Sequence, residues 1–445
     1  MSEKIPKGWK WVKLGEVAKY HFSTNKEEKL NKLVLKNLAK LNFWRVKGMS
    51  EWKEVKLKTI CSDISYGYTA SASKEKVGPK FLRITDITSG KINWDTVPYC
   101  RISEKDYHKY KLSIGDIVIA RTGTLGSSAI IKNDIDAVFA SYLIRFRIDE
   151  KLADPFFISY VLQSQDFKEY VNAVNSGSVQ PGTNARQLGD YELPLPPLPE
   201  QKAIAEVLSS IDDKIDLLHC QNKTLEEMAM TLFRQWFIEP TKDGLPEGWE
   251  EVSLGDIFDI GIGRTPPRKE SQWFSVNQHD IRWISVKDLG SIDTYILNSS
   301  EFLKEEAVKE FNIPIIPDNT VVLSFKLTVG RIGITIGEMV SNEAIAHFKL
   351  KPDSKISSNY LYLFLKTLDF SAFGSTSSIA EAINTKIIKE IKILVPNDEL
   401  ITSFQSLINP VFQKIRLNTL EIQTLEKLRD TLLPKLMSGE VRVKV

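Results

Sequence analysis

The sequence predicts an α+β protein made of two related modules of short strands, each closed by a long helix whose apolar seam suits a coiled coil. Three observations carry this. The chain repeats itself at an interval of about 200 residues, strand-like runs punctuated by Gly, Ser and Asp fill the middle of each copy, and a strict 4/3 apolar spacing closes each copy.

Trp52-Lys53-Glu54-Val55-Lys56-Leu57 opens the first copy and Trp249-Glu250-Glu251-Val252-Ser253-Leu254 the second. Near the ends Lys214-Ile215 matches Lys414-Ile415, Leu225-Glu226 matches Leu425-Glu426, and Leu232 matches Leu432. The middles differ far more than the ends. A duplicated scaffold around dissimilar cores suggests two related domains that read different things.

Residues 1–48 form a basic extension. Gly8-Trp9-Lys10-Trp11-Val12-Lys13-Leu14-Gly15 is a third version of the opening, but no full module follows it. Leu30, Leu33, Val34, Leu38 and Leu41 then recur at helical spacing. Two readings stay open. The segment is a fused upstream remnant, with Met49 the original start, or it is an added helix that docks a partner or DNA phosphates.

Residues 50–198 form the first module, with strand-like runs at Phe81–Ile84, Ile117–Ala120 and Tyr142–Phe146 and a helical stretch from Pro155 to Asn172. Leu193-Pro194-Leu195-Pro196-Pro197-Leu198-Pro199-Glu200-Gln201 reads as a rigid strand-to-helix connector, because Pro suits a first helical turn. The long helix takes residues 199–238. Residues 245–398 repeat the plan, ending in the strand Ile391–Val395, and residues 399–438 form the second long helix.

The seams are Ile204, Leu208, Ile211, Ile215, Leu218, Asn222, Leu225, Ala229, Leu232 and Trp236 in the first helix, and Phe404, Ile408, Val411, Ile415, Asn418, Ile422, Leu425, Arg429, Leu432 and Leu436 in the second. Each seam carries one Asn, and a lone buried amide in an apolar seam specifies register. The competing arrangement packs each helix separately on its own module.

Composition narrows the function classes. The 445 residues suit two to three domains, with 42% hydrophobic and 26% charged residues. No apolar run approaches the roughly 18 residues of a membrane span, and the lysine-rich start lacks a signal-peptide core. Three scattered cysteines fit a reducing cytoplasm and offer no zinc site, so no metal is expected. Residues 1–48 hold 12 Lys/Arg against 4 Asp/Glu, a balance of +8 in a chain of net +2, which leaves the body at −6. Any nucleic acid must therefore be held by local patches, or by partners that share the phosphate contacts.

Catalytic constellations are missing. There is no Walker loop, no HExxH and no Gly-x-Ser-x-Gly elbow. The Asn/Asp-Pro-Pro-aromatic loop of an amino-methyltransferase is absent, and a nuclease pattern must be forced from Asp353, Glu390 and Lys392. Each module does carry loops suited to base edges. They are Tyr66–Ser71, Arg121–Thr124 and Gln180–Arg186 in the first, and Gly263–Lys269, Lys326–Thr328 and Asn384–Lys386 in the second. Arg pairs bidentately with guanine and Asn or Gln with adenine, while Thr, Ser and Lys reach bases or phosphates.

With these features the chain resembles the specificity subunits of type I restriction–modification systems. The resemblance covers residues 50–445. It rests on the Leu193–Gln201 connector, Gly244-Leu245-Pro246-Glu247-Gly248-Trp249, Trp283-Ile284-Ser285-Val286-Lys287-Asp288-Leu289, and Leu432-Leu433-Pro434-Lys435-Leu436-Met437-Ser438-Gly439-Glu440-Val441. Tyr66–Ser71 followed by Gly78–Ile87 resembles one subgroup of target recognition domains. It implies two such domains, small mixed sheets with helices, separated by a long antiparallel two-helix coiled coil, in a non-catalytic cytoplasmic chain that reads a bipartite, asymmetric site in double-stranded DNA.

The resemblance further implies two adenine-methyltransferase subunits carrying S-adenosylmethionine, joined by two motor-nuclease subunits that use ATP and Mg. This chain itself would hold no cofactor. The residues expected on DNA are Tyr66, Tyr68, Thr69, Ser71, Lys74, Arg83, Arg121, Thr122, Gln180, Asn184 and Arg186 in the first domain. In the second they are Arg264, Thr265, Arg268, Lys269, Lys287, Lys326, Thr328, Asn384 and Lys386. In an antiparallel pair the seams mesh throughout when Asn222 faces Asn418, with Arg429 as the weak layer, expected to snorkel outward. The alternatives are an adaptor that only bridges proteins, and a standalone methyltransferase or nuclease.

Overall fold

The computed structural model describes residues 24–42, 52–88, 90–175, 182–373 and 384–444. They fall into two compact units, one holding the residues up to Lys214 and from Leu425 onward, the other Ile215–Thr424. The division passes through both long helices, Leu198–Phe233 and Asp398–Met437.

In the first unit a four-stranded antiparallel sheet runs in the order Cys61–Tyr66, Leu143–Ile148, Ile117–Ala120, Ser128–Ile130. Ile117–Ala120 lies between two neighbours and is buried at every position, which is why it reads as an unbroken apolar run rather than an alternating one. Beside this sheet, Lys80–Leu82 pairs in parallel with Ala137–Phe139. Leu82, Val118, Ala120, Phe139 and Leu143 make the core. The expected single helix from Pro155 to Asn172 is two, Pro155–Val161 and Gln165–Asn175. The first is capped by Asp154, whose side chain accepts from Phe157 N, with Pro155 in its first turn.

The second unit repeats the plan and extends it. Phe258–Ile262, Ile345–Leu350, Val321–Ser324 and Ile332–Thr335 form the matching antiparallel sheet, and Tyr295–Ile296 adds a parallel edge strand. Ile281–Ile284 pairs in parallel with Val340–Ser341, and two further strands, Glu301–Leu303 and Phe274–Ser275, widen that sheet.

Each module has a neck. Lys53–Lys56 pairs antiparallel with Glu192–Leu195, and Glu250–Ser253 with Lys392–Val395. The chain therefore leaves each module beside the point where it came in.

The long helices are antiparallel within each unit. In the second unit Asn418 Nδ2 donates to Asn222 Oδ1 at 2.9 Å, and the Trp236 ring meets that of Phe404 at a tilt, with centroids 5.7 Å apart. In the first unit Arg429 Nη1 donates to Asp212 Oδ1 at 3.1 Å, and Arg442 Nη2 to Glu200 Oε2 at 2.6 Å. Partners fall along one helix as they rise along the other, and in the first unit the trend continues to Arg442, in the short strand Arg442–Val443 past the second helix. Arg429 does not snorkel into water. It is bound to Asp212, a buried carboxylate that also accepts from Tyr160 Oη at 2.6 Å. A buried acid leaves Arg429 a better partner than solvent.

The seams differ from expectation at one end. Leu232 and Trp236 are only half-buried, while Phe233 and Phe237 are fully buried against Tyr360 and Phe404. A straight helix drifts about 20° per heptad against a 3.5-residue repeat, and the chain passes into a π-helical turn at Arg234–Ile238. The apolar line moves over by one residue there. The helices also pack on their own modules, since Asp154 N donates to Gln201 Oε1 and Tyr362 Oη to Glu226 Oε1. Coiled coil and module packing coexist.

The basic extension contributes the helix Thr24–Leu38 and the strand Leu41–Asn42. Both pack on this same chain. Glu27 pairs with the buried Lys214 at 3.2 Å, Lys40 with Glu206 at 3.0 Å, and Leu41–Asn42 pairs with Arg442–Val443. Met49 lies outside the described residues.

Candidate nucleic-acid interface

Three of the loops singled out in the first module meet at Tyr66. This residue ends its strand, and Gly67 follows because a Cβ there would fall 2.2 Å from Ala140 O. The Tyr66 hydroxyl accepts from Ala185 N at 3.0 Å, at the start of the short helix Ala185–Gly189. The Arg121 guanidinium lies over the Tyr66 ring, 5.0 Å from its centroid, a cation–π contact. Thr183 N donates to Arg121 O at 2.8 Å, which closes the triangle. A fourth segment joins, since Arg121 N donates to Tyr142 O and Ser141 N to Tyr68 O.

The other first-module candidates divide by their partners. Thr69, Ser71 and Lys74 are exposed, and Thr122 is half-buried. Tyr68 is half-buried, its ring 5.3 Å from Tyr110. Arg83 is bound to Asp86 through Nε and Nη2 at 3.0 and 2.9 Å. Asn184 caps Ala185–Gly189 by accepting from Gln187 N at 2.9 Å. Arg186 is almost wholly exposed, 3.9 Å from Asp190. Gln180 lies outside the described residues.

In the second module two loops are tied to the same stretch. Arg264 N donates to Ser341 O and Phe325 N to Ala344 O, so Gly263–Lys269 and the loop around Lys326 flank residues 341–345. Gly263 repeats the close approach of Gly67, its Cβ position 2.1 Å from Ser341 O. Arg264 donates to Phe311 O at 3.1 Å, and Thr265 to Glu343. Arg268 makes a fork to both oxygens of Glu301, at 2.7 and 3.0 Å, between the rings of Phe274 and Trp283. Lys269, Lys287, Lys326 and Thr328 are exposed. Lys326 sits beside Leu327, which has a positive φ of 70° and is 75% exposed. Asn384 caps Thr385–Glu390 by accepting from Ile387 N at 2.9 Å, and Lys386 is 3.9 Å from Glu390.

Sequence reasoning missed two residues at the Tyr66 cluster. Tyr142 is 60% exposed beside Arg121, and Thr183 is buried with a hydroxyl that has no partner among the described residues. Tyr142 was visible only as part of a strand-like run, and Thr183 as one more loop residue. It gave no sign that Arg83 and Arg268 are bound to Asp86 and Glu301, carboxylates that sit near and far in sequence. Among the described residues no group of three or more His, Cys, Asp or Glu is placed to hold a metal ion, and no helix is long and apolar enough to cross a membrane.

Two repeated modules with necks are joined to long helices and present polar loops. The family profile described as the type I restriction modification DNA specificity domain matches residues 6–227 and 246–428. The chain belongs to that family. It is 28% identical over 422 residues to the specificity subunit of the type I restriction enzyme MjaIX of Methanocaldococcus jannaschii, across 88% of this chain and 94% of that one. It is 25% identical to the HindI specificity subunit of Haemophilus influenzae, across 88% and 100% of the two chains. The crystal structure of the type I restriction–modification S subunit from M. genitalium is similar in fold, with a TM-score of 0.56 at 18% identity over 89% of this chain and 98% of that one.

Proposed function

We propose that this chain is the DNA-recognition subunit of a type I restriction–modification complex, and that its two modules each read one half of a bipartite, asymmetric site. One observation carries the division of labour. The two modules share a backbone plan down to Gly67 and Gly263, yet differ in the side chains their loops present. A common scaffold with unlike loops is what two readers of unlike half-sites require. The chain contributes recognition and no chemistry. Adenine-methyltransferase subunits would bring S-adenosylmethionine, and motor-nuclease subunits ATP and Mg.

The test is exchange. Residues 50–198 are replaced by the equivalent module of a relative, and methylated adenines are mapped in DNA exposed to the assembled complex. One half of the motif changes and the other stays. A simultaneous change in both halves would falsify the two-reader arrangement, and an unchanged motif would show that this module does not read DNA.

A further inference from the structure

Arg121 stands apart among the arginines of the loop clusters. Arg83 is bound to Asp86, Arg264 to Phe311 O, Arg268 to Glu301, and Arg186 lies near Asp190. Among the described residues no carboxylate or carbonyl is bonded to the Arg121 guanidinium. Its contact is the face of Tyr66, and its Nε is buried without an acceptor. With Nε shut in, the terminal nitrogens are the part of the fork that reaches solvent. Thr183, whose N donates to Arg121 O, likewise has a buried hydroxyl with no partner among the described residues. Two buried polar groups left unsatisfied where three loops meet show that the fold does not complete the bonding of Arg121, and its terminal nitrogens are the part that an incoming acceptor can meet.

The second module shows that the fold does not need this cation. Gly126 N donates to Ala120 O, as Gly330 N donates to Ser324 O; Arg121 N donates to Tyr142 O, as Phe325 N donates to Ala344 O. The position of Arg121 is therefore that of Phe325, a residue 1% exposed. By the same bonds Gly67 corresponds to Gly263, so the position of Tyr66 is that of Ile262. Where one module packs hydrocarbon, the other holds an arginine on an aromatic platform whose hydroxyl is pinned by Ala185 N.

We propose that Arg121 reads a guanine in the half-site of the first module, with Tyr66 as the positioning residue that presents it. This rests on the reading that the module binds DNA. A guanidinium on a fixed aromatic face has lost most of its side-chain freedom before binding. Its outward nitrogens match the O6 and N7 acceptors of a guanine edge. A phosphate would accept the same donors, so the experiment separates the two.

The assembled complex is prepared with Arg121→Phe, which installs the residue the scaffold already tolerates in the second module, and with Arg121→Lys and Tyr66→Leu. Methylated-adenine mapping defines the motif for each. Binding is then measured on duplexes carrying 7-deazaguanine, which lacks N7, at each guanine of the first half-site. Arg121→Phe is expected to lose discrimination at one base pair of that half by roughly ten- to a hundredfold, with the other half unchanged. The 7-deazaguanine at that pair should weaken the native protein and leave Arg121→Phe unaffected. Tyr66→Leu should blunt the same position, and Arg121→Lys should keep only part of the discrimination, since an ammonium lacks the planar fork that lies on the Tyr66 ring.

Uniform weakening on all sequences with a shallower salt slope would assign Arg121 to a phosphate and overturn the proposal. A first half-site without a guanine on either strand would overturn it too, as would an unaltered motif in Arg121→Phe. Failure of the underlying reading is seen separately, in a module exchange that leaves the motif unchanged.

Discussion

At the scale of single residues, His347 gives the second unit a pH dependence. It is fully buried, its Nε2 2.6 Å from Ser341 Oγ and its Nδ1 without a partner among the described residues. Burial first, and the charge of Lys349 second, push its pKa down from 6.5 to about 3. The folded protein holds this ring neutral while the unfolded chain protonates it near 6.5. Its stabilisation is thus fully present above about 6.5 and is lost as the pH falls from there toward 3. Thermal unfolding followed from pH 7.5 to 4 is expected to fall less steeply in His347→Gln than in the native chain. Parallel curves would remove His347 from the account. Asn184 and Asn384 make a second case. Their oxygens cap helices, so Asn184→Ala and Asn384→Ala should each destabilise by about 1 kcal/mol, while Asn184→Asp should leave the melting temperature nearly unchanged. Capping is the role the sequence shows least: both residues sit in loops rich in residues that suit bases, and nothing in a single chain separates a cap from a reader. Arg83 teaches the same point, because Asp86 three residues on is a local partner that the loop pattern hides.

At the scale of elements, the helix pair was the most legible feature. A seam every three and four residues is a direct imprint of 3.6 residues per turn, and only its last turn drifted, at Phe233 and Phe237. The buried amides need more than the pattern. Asn418 Nδ2 bonds Asn222 Oδ1 and, at 3.3 Å, Gln221 Oε1, but Asn222 Nδ2 and Asn418 Oδ1 have no partner among the described residues. An unsatisfied buried polar atom costs about 1–3 kcal/mol, so this pair favours one register at the expense of stability. Replacing both Asn222 and Asn418 by Leu should therefore raise stability to urea by about 1–3 kcal/mol. Asn222→Leu alone should destabilise, since Asn418 would keep only Gln221. If the pair sets the register, the double variant in the complex should methylate sites of more than one spacer length, whereas a single unchanged spacer would make the amides bystanders. The module interiors were less legible. Strands of two to six residues in mixed sheets carry little periodicity, and the edge strand Tyr295–Ile296 gains its place only through pairing with Ile334 and Thr335.

At the scale of the whole molecule, charge is the informative quantity. The body outside residues 1–48 carries a balance of −6, and several loop arginines are already paired with carboxylates. The isolated chain is expected to bind duplex DNA weakly, with log K falling gently as salt rises, and the assembled complex to bind tightly with a steeper slope, because released counterions count the phosphates engaged. Identical slopes with and without partners would locate the phosphate contacts in this chain after all. The necks have a different consequence, one for heredity rather than for binding. Because Lys53–Lys56 lies against Glu192–Leu195 and Glu250–Ser253 against Lys392–Val395, a module is a closed loop on a two-strand stalk, and the stretches flanking it are the parts the two copies share most. Genes with like flanks and unlike centres recombine at the flanks. A single crossover on each side would deliver a foreign module onto a stalk whose main-chain bonds do not depend on what it carries, so a lineage can acquire a new target in one event without passing through a protein that no longer folds.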